Sequence, residues 1–267
     1  MEIVNLLIQT GLEIIYFTGV IILVGLILGG LETMAARNFQ RSLGRNAVMV
    51  TGVIGTPIHE CSHALLCVVF RHRITEIKLF QRPDQNGVLG YVNHSFSKRN
   101  IYQRIGNFFI GIAPIFGGIL VIVILMDLLI PQAFANYINI LSGSLGMQSL
   151  SDLNLAAIAN TYMGLIKTIF TFENFQNIRF YIFLFLTTCI SSHMSLSFAD
   201  IKGSFDGLIF IFLLLLIFNF LNVSQYISLP FNLVQYNFMI SAILMISVIF
   251  STITFLISLG LRFVFPR

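Results

Sequence analysis

Pro57-Ile58-His59-Glu60-Cys61-Ser62-His63-Ala64 sits inside an apolar stretch, residues 47–70, and reads as His-Glu-x-x-His. Residues four apart share one face of a helix. His59 and His63 can therefore turn one ring nitrogen each towards a single metal ion. Glu60 follows the first histidine and projects beside the ion, where a carboxylate can take a proton from water. The bland alternative is two core histidines and a chance glutamate. Ionisable groups within a membrane segment are costly, and by default they mark function. Three of them within five residues read as a metal site.

The rest of the chain supports that membrane setting. Of its 267 residues 57% are hydrophobic and only 10% charged, against about 25% charged in soluble domains. The mean hydropathy is +0.89. There is no Trp, so any interfacial aromatic belt rests on 27 Phe and eight Tyr. The net charge of +4 is spread over loops between apolar runs; it reads as a topology signal and excludes a nucleic-acid role. Three cysteines, Cys61, Cys67 and Cys189, lie in or beside apolar segments and form neither a disulfide scaffold nor a metal knuckle. No cleavable signal peptide is expected: the start lacks a basic region and runs into a span too long for one.

Six apolar runs are long enough, or nearly so, to cross a bilayer: 5–30, 47–70, 105–130, 177–193, 207–223 and 237–264. Glu13 interrupts the first and reads as an interfacial or bundle-facing residue. Residues 31–46 read as a polar loop. Thr56 can cap a new helix with Pro57 at its first position, so a break is expected there. Ile74 to Phe80 alternates with period two, Asn86-Gly87 supplies a turn, and Val88 to Val92 follows, which predicts a β-hairpin. Such a hairpin offers an open edge to an extended peptide. Residues 131–176 read as an interfacial helix or a partial re-entry. The expected fold is one all-α polytopic membrane domain over residues 1–267, with about six transmembrane helices and a hairpin after the second. If six spans alternate, one face carries ten Lys and Arg and the other five. Both termini and the hairpin are then expected in the cytoplasm, and the protein in the cell membrane.

His59-Glu60-Cys61-Ser62-His63 in an apolar helix resembles the zinc motif of the site-2 protease family of intramembrane metalloproteases. Leu89-Gly90-Tyr91-Val92 is similar to the Gly-Tyr-Val strand of that family's membrane-associated hairpin. Gly106-Asn107 and Ile112-Ala113-Pro114 stand near the place of its Gly-Pro-x-x-Asn segment. The polar break before the fifth span resembles the stretch that supplies an aspartate ligand. The resemblance covers residues 55–210. It departs from the family in lacking the Asn-x-x-Pro and Leu-Asp-Gly context and any regulatory domain. It implies a zinc cofactor, a membrane-protein or peptide substrate, and Leu89, Gly90, Tyr91 and Asn107 as substrate-binding residues.

The leading reading is an intramembrane zinc endopeptidase with Glu60 as general base. The rival is a membrane metal-binding or regulatory protein without proteolysis; a transporter is a weaker third, because the spans show no matching halves. A catalytic zinc site needs a third protein ligand besides His59 and His63. Asp200 is assigned, in a hydroxyl-rich run (Ser191, Ser192, Ser195, Ser197) expected to unwind and let its carboxylate turn inward. Asp206, before Gly207, and His193 stay open as alternatives. Cys67, four residues after His63, continues the ligand face, with a small buried packing residue as the simpler reading. Cys61 points away from both histidines and reads as packing. His72 and His94, in polar segments, read as solvated.

Overall fold

The computed structural model describes residues 2–85, 87–143, 155–222 and 233–265. Helix α1 spans Glu2–Leu43 and is about 63 Å long by helical rise. It runs straight through the expected loop at 31–46. Glu32, Arg37, Gln40 and Arg41 are polar but favour helix, and Ala35, Asn38 and Ser42 turn one buried stripe inward. The helix stops where Gly44 takes a positive φ, 94°, which glycine adopts without steric cost. A 3₁₀ turn, Arg45–Val48, leads into α2, Met49–Val69.

Pro57 lies inside α2, which does not break. Thr56 does not cap a new helix: its buried hydroxyl has no hydrogen-bond partner among the described residues. Packing on both sides holds the segment helical. A Cβ on Gly55 would come within 2.6 Å of the His193 ring, and one on Gly90 within 2.8 Å of Thr56.

α2 ends in a Schellman motif. Arg71 is left-handed, φ 57°; its N–H donates to the Val68 carbonyl (3.1 Å) and the N–H of His72 to that of Cys67 (2.8 Å). Strands β1, Arg73–Lys78, and β2, Tyr91–Ser95, then pair antiparallel with Lys78 opposite Tyr91 and an irregularity between Ile74 and Glu76. Both strands differ from the expected limits. Residues 79–85 and 87–90 leave the sheet and fold back along α2 towards its start, where Arg45 donates to the Asp84 carbonyl (3.1 Å). The expected turn includes Asn86, outside the described residues; Gly87 is left-handed, φ 83°.

The remaining helices are α3, Ile101–Leu129; α4, Pro131–Gly143; α5, Leu155–Ile169; α6, Phe172–Phe175; α7, Ile178–Ser191; α8, Phe198–Phe220; and α9, Leu233–Val264. Among the described residues, five helices are long and apolar enough to cross a membrane: α1, α2 with its preceding turn, α3, α8 and α9. α7 is apolar but has only 14 residues. The chain is an all-α polytopic membrane protein carrying a small hairpin. α4 and α5 pack on each other and onto α9, where the Tyr137 hydroxyl donates to the Ala242 carbonyl (2.7 Å) and Tyr162 bonds Ser241 (2.6 Å).

The order of contacts corrects the six-span alternation. Along α3, Arg104 and Phe108 touch Gly207, Gly111 touches Ser204 and Asp200, and Gly118 touches Met194. Along α2, Cys189 meets Val50 and Gly55, and His193 meets His59. α2 itself runs opposite to α3, since Phe70 packs on Gly106 and His63 on Ile110. α7 and α8 therefore run in one direction as two halves of an interrupted line. α9 lies parallel to α1: Tyr236 stacks on Phe17, and Ser258 bonds Asn38. The N-terminal end of α1 and the C-terminal end of α9 thus sit at opposite ends of the bundle, not at one. The Lys and Arg among the described residues then divide five (Arg71, Arg73, Lys98, Arg99, Arg104) against seven (Arg37, Arg41, Arg45, Arg82, Lys167, Arg179, Arg262), with Lys78 at the depth of Glu60 and Lys202 inside α8.

Candidate metal centre

The interruption between α7 and α8 lies against the His-Glu-x-x-His segment of α2. A carbonyl can only accept, so the two short contacts to backbone oxygens fix the imidazole tautomers. Nδ1–H of His59 donates to the His193 carbonyl at 2.7 Å. Nδ1–H of His63 donates to the Ile110 carbonyl of α3, also at 2.7 Å. Each ring is left with its Nε2 lone pair, and the two Nε2 atoms face each other at 3.1 Å. Two lone pairs this close repel unless a proton or a cation lies between them.

Asp200 completes the group. Its Oδ1 lies 3.4 Å from Nε2 of His63, and the donor atoms of His59, His63 and Asp200 all fall within 4.8 Å of one another. Zinc bonds to nitrogen and oxygen of about 2.0–2.1 Å in a tetrahedron put neighbouring ligand atoms about 3.3 Å apart. The residues fit such an ion. Asp200 is not in an unwound run. It is in the first turn of α8, where its Oδ2 accepts from the Ser197 N–H (2.8 Å) and its own N–H donates to Ser197 Oγ (3.1 Å). This capping box fixes one carboxylate oxygen and aims the other at the histidines. The unwound part is confined to residues 192–197. Gly111 lets α8 come this close: a Cβ there would stand 2.6 Å from the Asp200 carbonyl.

Glu60, 6% exposed, lines a cavity of about 260 Å3 together with His59, Thr56 and Gly90. The opposite wall is α1, which contributes Glu32. Glu32 accepts a hydrogen bond from Ser195 and lies 3.4 Å from Nδ1 of His193. It thereby secures the loop whose carbonyl orients His59. Glu32 was missed in the sequence because its segment read as a loop; the buried spacing of Ala35, Asn38 and Ser42 was the available signal.

The other candidates are distributed as follows. His193 touches the site through its carbonyl, while its Nε2 bonds Thr51 (3.1 Å). Asp206 is turned away: both its oxygens meet Arg104 (2.5 and 3.1 Å), and Asn107 donates to one of them (3.3 Å). Asn107 therefore serves that ion pair and does not line the cavity. Leu89 and Gly90 do line it. Tyr91 is directed to the far side of the hairpin, where its hydroxyl donates to Glu76 (2.5 Å). That carboxylate holds the Tyr91 phenol above its ordinary pKa. Cys61 is exposed on α2. Glu13 accepts from Asn219 of α8 (2.7 Å), which makes it a bundle-facing residue. No protein-family model, curated protein or solved structure matches the chain.

Proposed function

We propose that the chain is an intramembrane zinc-dependent endopeptidase acting on membrane-embedded or unfolded apolar polypeptides. The observation that supports it most is the convergence of two oriented Nε2 atoms and one carboxylate oxygen beside Glu60, on the wall of a cavity inside a membrane domain. When bound, zinc polarises the scissile carbonyl and makes a water acidic enough to attack it. Glu60 takes the proton of that water on its carboxylate and returns it to the leaving nitrogen. The carbonyls of His193 and Ile110 hold the two imidazoles in the ligating tautomer. Leu89 and Gly90 bring the 79–90 segment over the site, so a substrate in extended form lies between that segment and α1. α1, α2 and the hairpin keep bulk lipid out and leave room for water.

The test is hydrolysis of a quenched fluorescent apolar peptide by purified protein in detergent micelles, with zinc content measured in parallel. Glu60→Gln is expected to keep zinc and lose about 100-fold or more in kcat. His59→Ala is expected to lose both. Undiminished cleavage by zinc-bearing Glu60→Gln would sink the mechanism. A wild type that holds zinc and cleaves no peptide would favour the non-proteolytic metal-binding reading.

A further inference from the structure

A second cluster lies where α2 gives way to the hairpin. Cys67 of α2, His72 and His94 of β2 bring Sγ and two ring nitrogens within 4.8 Å of one another. Cys67 is 0% and His72 6% exposed. Neither histidine is solvated as its polar setting suggests, and Cys67 groups with them instead of with His63.

The chain builds this cluster with backbone devices. The Schellman bond from the His72 N–H to the Cys67 carbonyl (2.8 Å) folds His72 back over the last turn of α2, the arrangement that brings C″ onto C3. The register that sets His94 opposite Ile74 carries the second imidazole to the same place. Nε2–H of His72 donates to the Gln103 carbonyl of α3 (2.8 Å), and its ring stacks on Phe96. The lone pair of His72 is therefore on Nδ1, which faces Nδ1 of His94 at 3.0 Å. As in the first centre, an α3 carbonyl orients a histidine, and Gln103 and Ile110 are seven residues apart. That is about 10 Å along α3, too far for two ions to act on one substrate, which needs a separation of about 3.5–4 Å.

We propose that Cys67, His72 and His94 form a second metal site that fastens the hairpin to α2 and α3. One thiolate and two imidazoles suit zinc or another thiophilic divalent ion. The Cys67 proton leaves to solvent as the ion binds, and a water fills the fourth position.

Cobalt(II) reads this site separately from the first, because only a sulfur ligand gives a thiolate-to-cobalt charge-transfer band. Full-length protein in detergent is stripped with chelator and reloaded with Co2+ under anaerobic conditions, with helical content checked by circular dichroism. The wild type is expected to take up two equivalents and show the band. The His59→Ala/His63→Ala double variant keeps the band and loses one equivalent. Cys67→Ser loses the band and the other equivalent. His94→Ala, which truncates a half-exposed side chain, weakens the band-forming site at least ten-fold. A loaded wild type without the band, or a band that survives in Cys67→Ser, overturns the proposal.

Discussion

Each imidazole of the first centre has one nitrogen committed to a carbonyl of a different element, and this makes the ligand question answerable residue by residue. Asp200→Ala removes the carboxylate 3.4 Å from His63 and is expected to abolish zinc retention after dialysis. His193→Ala is expected to keep the ion, because His193 reaches His59 through its backbone oxygen. Asp206→Ala should also keep it, and should lower stability by no more than about 1 kcal/mol, since its pair with Arg104 is partly exposed. Zinc lost in Asp206→Ala or His193→Ala but kept in Asp200→Ala would reverse the assignment. Gly90→Ala tests the hairpin's seat on the site. The added methyl would press on Thr56, the Lys78 carbonyl and Glu60 at 2.8–3.0 Å. Such overpacking is expected to cost about 1–3 kcal/mol and to lower peptide hydrolysis while zinc content stays unchanged; unaltered activity would show that the segment does not cover the site. His59, Glu60 and His63 were legible because i, i+4 spacing is local. The capping box that aims Asp200 is local too, and its Ser197-x-x-Asp200 spacing was the signal available for it; the reach of Glu32 to His193 joins positions far apart in the chain, and no spacing announces it.

Among the elements, helix interiors were legible and their ends were not. Polar composition made residues 31–46 look like a loop, yet only one face of that segment needed to be apolar or small, and Ala35, Asn38 and Ser42 supply it. Pro57 looked like a breaker because propensity ignores neighbours; the loop after α7 on one side and the 79–90 segment on the other keep α2 whole. The hairpin was read correctly in kind but with its second strand several residues early, since residues 79–90 serve α2 instead of the sheet. At the end of α2, Arg71 occupies a left-handed position that costs an L-residue about 1–2 kcal/mol. Arg71→Gly relieves that strain at some entropic cost and is expected to raise stability by about 0.5–1 kcal/mol. Denaturation of the detergent-solubilised protein measures it, and a fall in stability would mean that the Arg71 side chain holds contacts that outweigh the strain.

For the whole molecule, hydropathy located the apolar runs but not their directions. Two such runs separated by a polar stretch fit a reversal as well as an interruption, and only contacts with α2 and α3 distinguish them. The parallel course of α1 and α9 carries an expectation about sidedness. In cells, an impermeant thiol reagent should reach a cysteine placed at Lys98, just before α3, and one placed at Phe265 from opposite faces of the membrane, in a background lacking Cys61. Labelling of both from the same face would refute the five-crossing topology.

The interruption at residues 192–197 has an electrostatic consequence as well. A helix behaves as though it carried about half a positive charge at its N-terminus and half a negative one at its C-terminus. α7 ends and α8 begins at the same place, so opposite poles of two macrodipoles meet there. The negative pole of α7 lies on the side of the His193 carbonyl and favours a cation. The positive pole of α8 lies at Asp200 and favours negative charge. In apolar surroundings such poles are poorly screened, so the backbone sets a fixed polarity across the cavity. A polypeptide entering it meets that polarity before it meets any side chain, and the orientation that turns its carbonyl oxygen towards the start of α8 is the one the field prefers.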